Sequence, residues 1–133
     1  MPAKYENIEI TEEFLNSNPN AFFVFGDNLK HVGTGGAARL RHHPRAIGFV
    51  TKKAPDNEIG SSFRPEEYSK IFFKLLEQLK GLVKNNPDKI YHISRLGAGL
   101  ANKYMIWELV IKHNLIEELT EYDNVVFCWN ENE

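Results

Sequence analysis

Four short runs of consecutive apolar, β-favouring residues mark the chain, and each predicts a strand. They cover residues 22–25, 46–51, 90–94 and 124–129. Residues 1–10 are polar and are expected to be extended. Because the runs are apolar throughout instead of alternating with polar residues, we expect a sheet that is covered on both faces.

The segments between these runs carry the period of helices. A long helix is expected to begin at Arg64-Pro-Glu-Glu67, where proline and two acids suit a first turn, and to end at Asn85-Asn-Pro-Asp88. A second is expected from about Lys103 to Leu119. Shorter helices are expected at 11–15, with a threonine N-cap, and after Gly36.

Strands and helices therefore alternate along the whole chain. This order predicts an α/β fold, a three-layer α/β/α sandwich with a mostly parallel sheet and right-handed crossovers. With 133 residues, the chain is expected to form a single domain, residues 1–133, large enough to bury its own core.

A glycine loop follows the third predicted strand. Residues 90–102 read Ile-Tyr-His-Ile-Ser-Arg-Leu-Gly-Ala-Gly-Leu-Ala-Asn, which predicts a strand, a loop and a helix start. Gly97 and Gly99 have no Cβ, so the backbone N–H groups around them can approach a ligand closely. The N–H groups that begin a helix favour an anion. The loop thus indicates a phosphate site, although an ordinary strand-to-helix turn would have the same pattern.

A second glycine loop supports the phosphate interpretation. Gly26-Asp-Asn-Leu-Lys-His-Val-Gly-Thr-Gly-Gly36 follows the first predicted strand and leads into a helical stretch. Two such loops can lie side by side at the carboxyl edge of one sheet, where open α/β sheets bind ligands. Two loops suit a diphosphate better than one.

Other nucleotide and metal chemistries fit the sequence poorly. Gly33-Thr-Gly-Gly-Ala-Ala38 matches the pattern G-x-G-x-x-A, but six residues separate it from Gly26, and the next strand ends in Lys52-Lys53 instead of an acid. There is no G-K-[ST] sequence for a P-loop. The five histidines form no metal-binding pattern, so we expect neither a metal nor a resident cofactor.

Composition narrows the class of protein further. The net charge of −2 leaves no strong footprint for duplex nucleic acid. No apolar run approaches the roughly 20 residues of a membrane span, and the N-terminus lacks the apolar region of a signal peptide. The only cysteine, Cys128, falls in a predicted strand, so no disulfide framework exists. We therefore expect a cytoplasmic protein without membrane partners; the sequence does not indicate an oligomeric state.

Three motifs resemble the macrodomain superfamily, whose members bind ADP-ribose. They are Gly33-Thr-Gly-Gly-Ala-Ala38, Phe49-Val-Thr-Lys-Lys53, and Arg95-Leu-Gly-Ala-Gly-Leu-Ala101 with a tryptophan six residues later. They are most similar to the terminal ADP-ribose protein glycohydrolases and to the antitoxins that remove ADP-ribose from DNA. The resemblance covers about residues 22–129. The opening Phe25-Gly-Asp-Asn-Leu29 instead resembles small phage and bacterial proteins of this fold.

The resemblance implies a set of ligand contacts on the two loops. These contacts are Asn28, Gly33, Thr34, Gly35, Gly36, Arg95, Leu96, Gly97, Ala98, Gly99, Leu100 and Ala101. In the glycohydrolases, a lysine in the position of Lys52 attacks the distal ribose, and an aspartate assists from the position of Ala101. Alanine cannot act as an acid or base, and such assistance is typically worth about 10²–10⁴-fold in rate. Asp27, on the opposite loop, is a conceivable substitute.

Two function classes follow. The first is a module that binds or sequesters ADP-ribose or a related diphosphate nucleotide; in a phage, it could sequester a signal of host defence. The second is a hydrolase that removes ADP-ribose from a protein or nucleic acid with Lys52 or Asp27.

Several of these side chains also have purely structural interpretations. Lys52 can be a solvated charge, Asp27 and Asn28 can cap a turn, and Arg95 can pair with a carboxylate. Trp107 is expected in the core more than under an adenine, and Tyr104 suits stacking or packing equally. Arg39 and Arg41 can simply decorate a helix, and His31 can contact phosphate or solvent.

Overall fold

A computed structural model describes residues 2–133 and places a five-stranded sheet at the centre of the molecule. All strand pairs are parallel, so the predicted α/β class is confirmed. The order across the sheet is β1-β5-β4-β2-β3. The strands are β1 Lys4–Tyr5, β2 Ala21–Asn28, β3 Ala46–Lys52, β4 Ile90–Ile93 and β5 Val125–Phe127.

Helices cover both faces of this sheet, as a three-layer sandwich requires. They are α1 Glu12–Ser17, α2 Pro65–Asn85 and α3 Lys112–Leu119, with short 3-10 helices at Gly36–Leu40 and Ile59–Ser61 and a π-helical turn, Trp107–Ile111, that leads into α3. Within residues 2–133, no helix has both the length and the apolar character needed to cross a membrane.

The two faces of the sheet carry cores of unequal size. Val24 points to the larger core, which α2 and α3 cover with buried residues such as Phe72 and Leu115. Its neighbours Phe23 and Phe25 point to the opposite, smaller core under α1 and the first 3-10 helix. The alternation along β2 therefore joins both layers to one central strand.

The first residues of α1 and α2 have the capping groups that the sequence predicts. The Thr11 hydroxyl accepts a hydrogen bond from the Phe14 N–H at 3.0 Å and caps α1. In α2, Pro65 is the first residue, and the Glu67 carboxylate accepts from the Arg64 N–H at 3.1 Å. The helix ends at Asn85, where the polar run was predicted to stop it.

The third main helix begins later than the sequence predicted. The chain from Gly97 to Met105 forms turns, and helical geometry starts only around Trp107. Met105 has a positive φ of 60°, which interrupts a helix, and the Asn102 side chain accepts from the Trp107 N–H at 3.0 Å. The second glycine loop therefore does not lead directly into a helix N-terminus.

Strand limits also differ from the prediction. β1, in the segment expected to be merely extended, pairs with β5 at the edge of the sheet. β2 continues to Asn28, so Asp27 and Asn28 belong to a strand and not to the glycine loop. The strand extends this far because both residues pair with β3. The register of the pairing shifts between Asp27 and Asn28. Cys128 lies just after β5 instead of inside a strand.

Strand order creates a switch point between two neighbouring strands. From β2 the chain continues to β3 on one side, whereas from β4 it continues to β5 on the other side. Connections that leave adjacent parallel strands in opposite directions open a crevice at their carboxyl ends. The two glycine loops follow β2 and β4, so both lie at this crevice.

Candidate functional site

A cleft of about 580 Å³ lies at the switch point, a size typical of small-ligand sites. Both glycine loops and the end of β3 form its walls. Its lining comprises Gly26, Asp27, Asn28, Val32, Gly33, Gly35, Gly36, Ala38, Thr51, Lys52, Pro55, Ser94, Arg95, Leu96, Gly97, Gly99, Leu100 and Ala101. The structure thus brings together most of the predicted contacts; Thr34 and Ala98 belong to the loops but not to the lining.

The floor of the cleft forms because β2 is longer than β4. Their pairing ends at Val24 and Ile93, and the Ser94 N–H then donates to the Val24 carbonyl at 3.0 Å. Beyond this point the second loop diverges from β2. A Cβ on Gly26 would lie 3.2 Å from the Thr51 hydroxyl and 4.0 Å from the Gly97 nitrogen, so three segments meet there.

Backbone N–H groups on both loops are available to a ligand. Within residues 2–133, no backbone or side-chain acceptor bonds the N–H groups of several cleft-lining residues. These residues are Gly33 and Gly35 on the first loop and Gly97, Gly99, Leu100 and Ala101 on the second. Unpaired N–H groups in such turns form concave sites that bind anions.

The glycines of the loops have two different explanations. Gly97 has a φ of 74°, and a Cβ there would lie 2.7 Å from Ile111 Cδ1, so the fold itself requires glycine. Gly33 has a φ of 99°, so the backbone conformation explains the glycine at this position as well. Gly35 and Gly99 have no positive φ, and a Cβ on either would meet nothing within 4 Å. The packing of the chain does not explain these two glycines, whereas close approach of a ligand would.

Asp27 is a buried carboxylate with three donors around it. Its oxygens lie 2.7 Å from an Arg41 nitrogen and 2.8 Å from His31 Nδ1, and one accepts from the Asn28 N–H at 2.8 Å. Burial raises the pKa of Asp27, but these hydrogen bonds and the Arg41 charge outweigh it and hold the pKa below the ordinary value. Asp27 is therefore ionised at neutral pH and unsuited to act as a general acid.

Arg41 is an unexpected member of the site. Only 12 % of its side chain is exposed, so it does not decorate the helix surface. Its guanidinium donates to the Gly33 carbonyl at 2.7 Å and the Val32 carbonyl at 3.0 Å while it pairs with Asp27. The pair spans 14 positions, and no local pattern in the sequence reveals it. Arg39, by contrast, pairs with the exposed Glu9 at 3.3 Å.

Asn28 and His31 shape the turn after β2. The Asn28 amide donates to the Val32 carbonyl at 2.8 Å, and its oxygen accepts from the Lys30 N–H at 3.0 Å. This is the turn-capping role that the sequence left open. His31 adopts a positive φ of 54°, and its largely exposed ring bonds to Asp27 through Nδ1.

Lys52 and Ala101 occupy the positions where the resemblance implies catalysis. Lys52 ends β3 at the cleft, and its Nζ donates to the Asp56 carbonyl at 2.6 Å. Asp56 in turn accepts from the Ser61 hydroxyl at 2.6 Å, which stabilises the loop after β3. Ala101 is buried in the lining and supplies no proton-transferring group.

Arg95 reaches the cleft from the second loop. Its guanidinium lies 5.3 Å from the centre of the Trp107 ring and 3.7 Å from a Glu133 carboxylate oxygen, and the side chain is partly exposed. Trp107 is buried, as predicted for a core residue. Tyr104 lies outside the lining and packs under Arg64, 4.4 Å from ring centre to guanidinium carbon.

Comparison with known proteins adds a family but no activity. A search of the curated proteins and a search of the solved structures both found no match. A family model described as a family of unknown function, DUF7831, matches residues 5–102. This match begins at the second residue of β1 and covers β2, β3, β4 and both glycine loops. The chain therefore belongs to the family of unknown function DUF7831.

Proposed function

We propose that this protein binds ADP-ribose or a related diphosphate-containing nucleotide in the cleft, as a binding or sequestering module. The observation that carries the proposal is the pair of glycine loops at the switch point, with unpaired backbone N–H groups on both. Two groups of donors on opposite walls suit two adjacent phosphates, because each phosphate can accept from one loop.

The rest of the lining suits the uncharged ends of a nucleotide. Apolar side chains stand on both walls, with Val32 and Pro55 on one side and the 66 %-exposed Leu100 on the other. Small-molecule sites typically combine such surfaces with a few polar groups that orient the ligand. Arg95 is also part of the lining, and its guanidinium lies beside Trp107 and Glu133. The cleft therefore has places for a base or sugar beside the diphosphate.

The side chains at the cleft favour binding over hydrolysis. The Lys52 amine already donates to the Asp56 carbonyl, and Asp27 is ionised and held by Arg41 and His31. Ala101 provides no acid or base to replace them. The hydrolase alternative would still gain support from a covalent ribose adduct on Lys52. We expect Lys52→Ala to retain ligand binding and the native protein to show no such adduct.

Substitutions at Gly35 and Gly99, where a Cβ would have open space around it, test the proposed site directly. Gly35→Glu and Gly99→Glu place a carboxylate at the loops without disturbing packing, because a Cβ at either position meets nothing within 4 Å. Each should weaken ADP-ribose binding at least about tenfold, or roughly 1.4 kcal/mol. Gly60→Glu is the matched control, since Gly60 is also unobstructed but lies outside the cleft lining. Equal affinities for all three variants and the native protein in calorimetric titrations would refute a site at these loops.

A further inference from the structure

We infer that Asp27 and Arg41 are a positioning pair, which holds the first glycine loop in the conformation that binds the ligand. The inference rests on the proposed function, because it assigns how that site is built. It gives Asp27 a role different from catalysis: the carboxylate acts through Arg41 and the loop, and not on the ligand.

Arg41 fixes the direction of two consecutive peptide groups. Its Nε donates to the Gly33 carbonyl, and its Nη2 donates to the Val32 carbonyl. A trans peptide is planar, so its N–H points opposite to its C=O. With both carbonyls turned toward the guanidinium, the N–H groups of Gly33 and Thr34 point away from it. Arg41 thus holds two carbonyl oxygens that would repel an anion, and the opposite N–H edge of the loop is turned away from it; of these two residues, Gly33 lines the cleft.

Asp27 fixes Arg41 in turn. The carboxylate lies 2.7 Å from Arg41 Nη2, and the Asn28 N–H and His31 Nδ1 hold its two oxygens from other directions. Both charged side chains are almost completely buried. A planar guanidinium can bridge a carboxylate and two carbonyls at once, which a lysine amine cannot do with the same geometry.

The neighbouring strand leaves room for this carboxylate. Gly48 lies on β3, and a Cβ there would stand 2.5 Å from Asp27 Oδ2 and 3.1 Å from Asp27 Cβ and Cγ. Any side chain at position 48 would therefore force the Asp27 carboxylate to shift from its present position beside Arg41 and His31. Gly48 is outside the cleft lining and carries no charge, so it offers a way to disturb the pair without altering the electrostatics of the site.

Substitutions at Asp27, Gly48 and Arg41 separate positioning from simple electrostatics. Asp27→Asn removes a negative charge beside an anion site, so Coulomb's law alone predicts tighter binding of ADP-ribose. Positioning predicts the opposite, a loss of at least about tenfold. Gly48→Ala should cause a similar loss with every charge retained, whereas Gly60→Ala, with open space around its Cβ, should bind like the native protein. Arg41→Lys keeps the charge and should recover only part of the affinity lost in Arg41→Gln.

Affinity is measured by calorimetry on folded protein well below the unfolding temperature, so a loss of stability alone does not change it. Asp27→Asn combined with Arg41→Gln should be no weaker than the worse single variant, because both disable one unit. Native-like or tighter binding by Asp27→Asn and Gly48→Ala would overturn the inference and leave the site itself intact.

The inference can also be tested if the native protein does not bind ADP-ribose, which would defeat the proposed function. In that case the NMR order parameters of the backbone amides in the free protein supply the readout. The order parameters of residues 33–36 should fall from about 0.85 toward about 0.6 in Arg41→Lys and Gly48→Ala, and stay unchanged in Gly60→Ala. Unchanged order parameters in the first two variants would show that the pair does not hold the loop.

Discussion

The buried polar side chains on the sheet differ in whether their polar atoms have hydrogen-bond partners. Asp27 has a donor on each side, whereas the buried Nδ1 of His92, on β4, has no hydrogen-bond partner among the described residues. The His92 and Phe14 rings pack in a T-shaped arrangement with their centres 5.1 Å apart. Burial lowers the pKa of His92, and the nearby Glu6 only partly opposes this effect. His92 is therefore a neutral packing residue, and protonation should disfavour the fold.

This environment predicts a stability that falls in mild acid. Because the pKa of His92 is lower in the folded than in the unfolded chain, its contribution to the free energy of unfolding is complete above about pH 6.5. It is lost as the pH falls from there toward the folded pKa, by at most about 1.4 kcal/mol per pH unit. Urea unfolding between pH 7.5 and 5 should show a smaller decline for His92→Phe than for the native protein.

His113→Gln on α3 provides the control, because that histidine is exposed. Its decline should match that of the native protein. If His92→Phe declined with the same slope as well, the neutral, buried imidazole would be the wrong account.

At the scale of residues, the sequence identifies residues whose role has a pattern in the neighbouring positions. It does not identify residues whose role depends on partners far away along the chain. The glycines were identified because two clusters of them follow apolar strands. The sequence makes Asp27 a conceivable acid, but its ion pair with Arg41 joins residues 14 positions apart. The need for glycine at position 48 arises from its closeness to Asp27 on the neighbouring strand. No periodicity or motif encodes these contacts, so only the folded arrangement shows them.

At the scale of elements, α2 is attached to β3 by one buried hydrogen bond as well as by packing. The Tyr68 hydroxyl donates to the Val50 carbonyl at 2.7 Å, and the ring is fully buried. Phe72, one turn later, packs against Phe49 with ring centres 5.8 Å apart. Val50 immediately precedes Thr51 and Lys52 in the cleft lining, so this contact also supports one wall of the site.

Removal of the Tyr68 hydroxyl should therefore destabilise the protein. Tyr68→Phe leaves the Val50 carbonyl without this donor and should lower the free energy of unfolding by about 1–3 kcal/mol in urea titrations. Tyr104→Phe is the matched control, because the Tyr104 hydroxyl makes no hydrogen bond to the described residues. The control should change stability by less than about 0.5 kcal/mol. Equal stability of both variants would show that the hydrogen bond does not anchor α2.

Elements with strong periodicity were predicted well, and boundaries set by tertiary contacts were not. The apolar spacing of α2 located the helix and its buried face. In contrast, Asp27 and Asn28 favour turns, yet pairing with β3 extends β2 through both. The positive φ of Met105 delays the third helix. β1 has only two residues, too few for a recognisable pattern, and exists because β5 offers it an edge.

At the scale of the whole molecule, strand order determines which loops meet. The alternation of strands and helices predicted a parallel sheet, but it left open whether the loops after β2 and β4 would be neighbours. The order β1-β5-β4-β2-β3 makes them neighbours and turns their outgoing connections in opposite directions. The cleft is therefore a consequence of topology, and the glycine loops give it donors for an anion.

The most direct test of this account is a calorimetric titration of the native protein with ADP-ribose, with AMP and NAD as comparison ligands. A nucleotide site built on two donor loops should bind ADP-ribose with micromolar affinity, while AMP, with a single phosphate, should bind at least about tenfold more weakly because it engages only one loop. NAD has the same diphosphate, so a comparison of its affinity with that of ADP-ribose shows how a change at the distal ribose affects binding. Absence of heat with all three ligands, or equal affinity for AMP and ADP-ribose, would contradict a diphosphate site at the switch point.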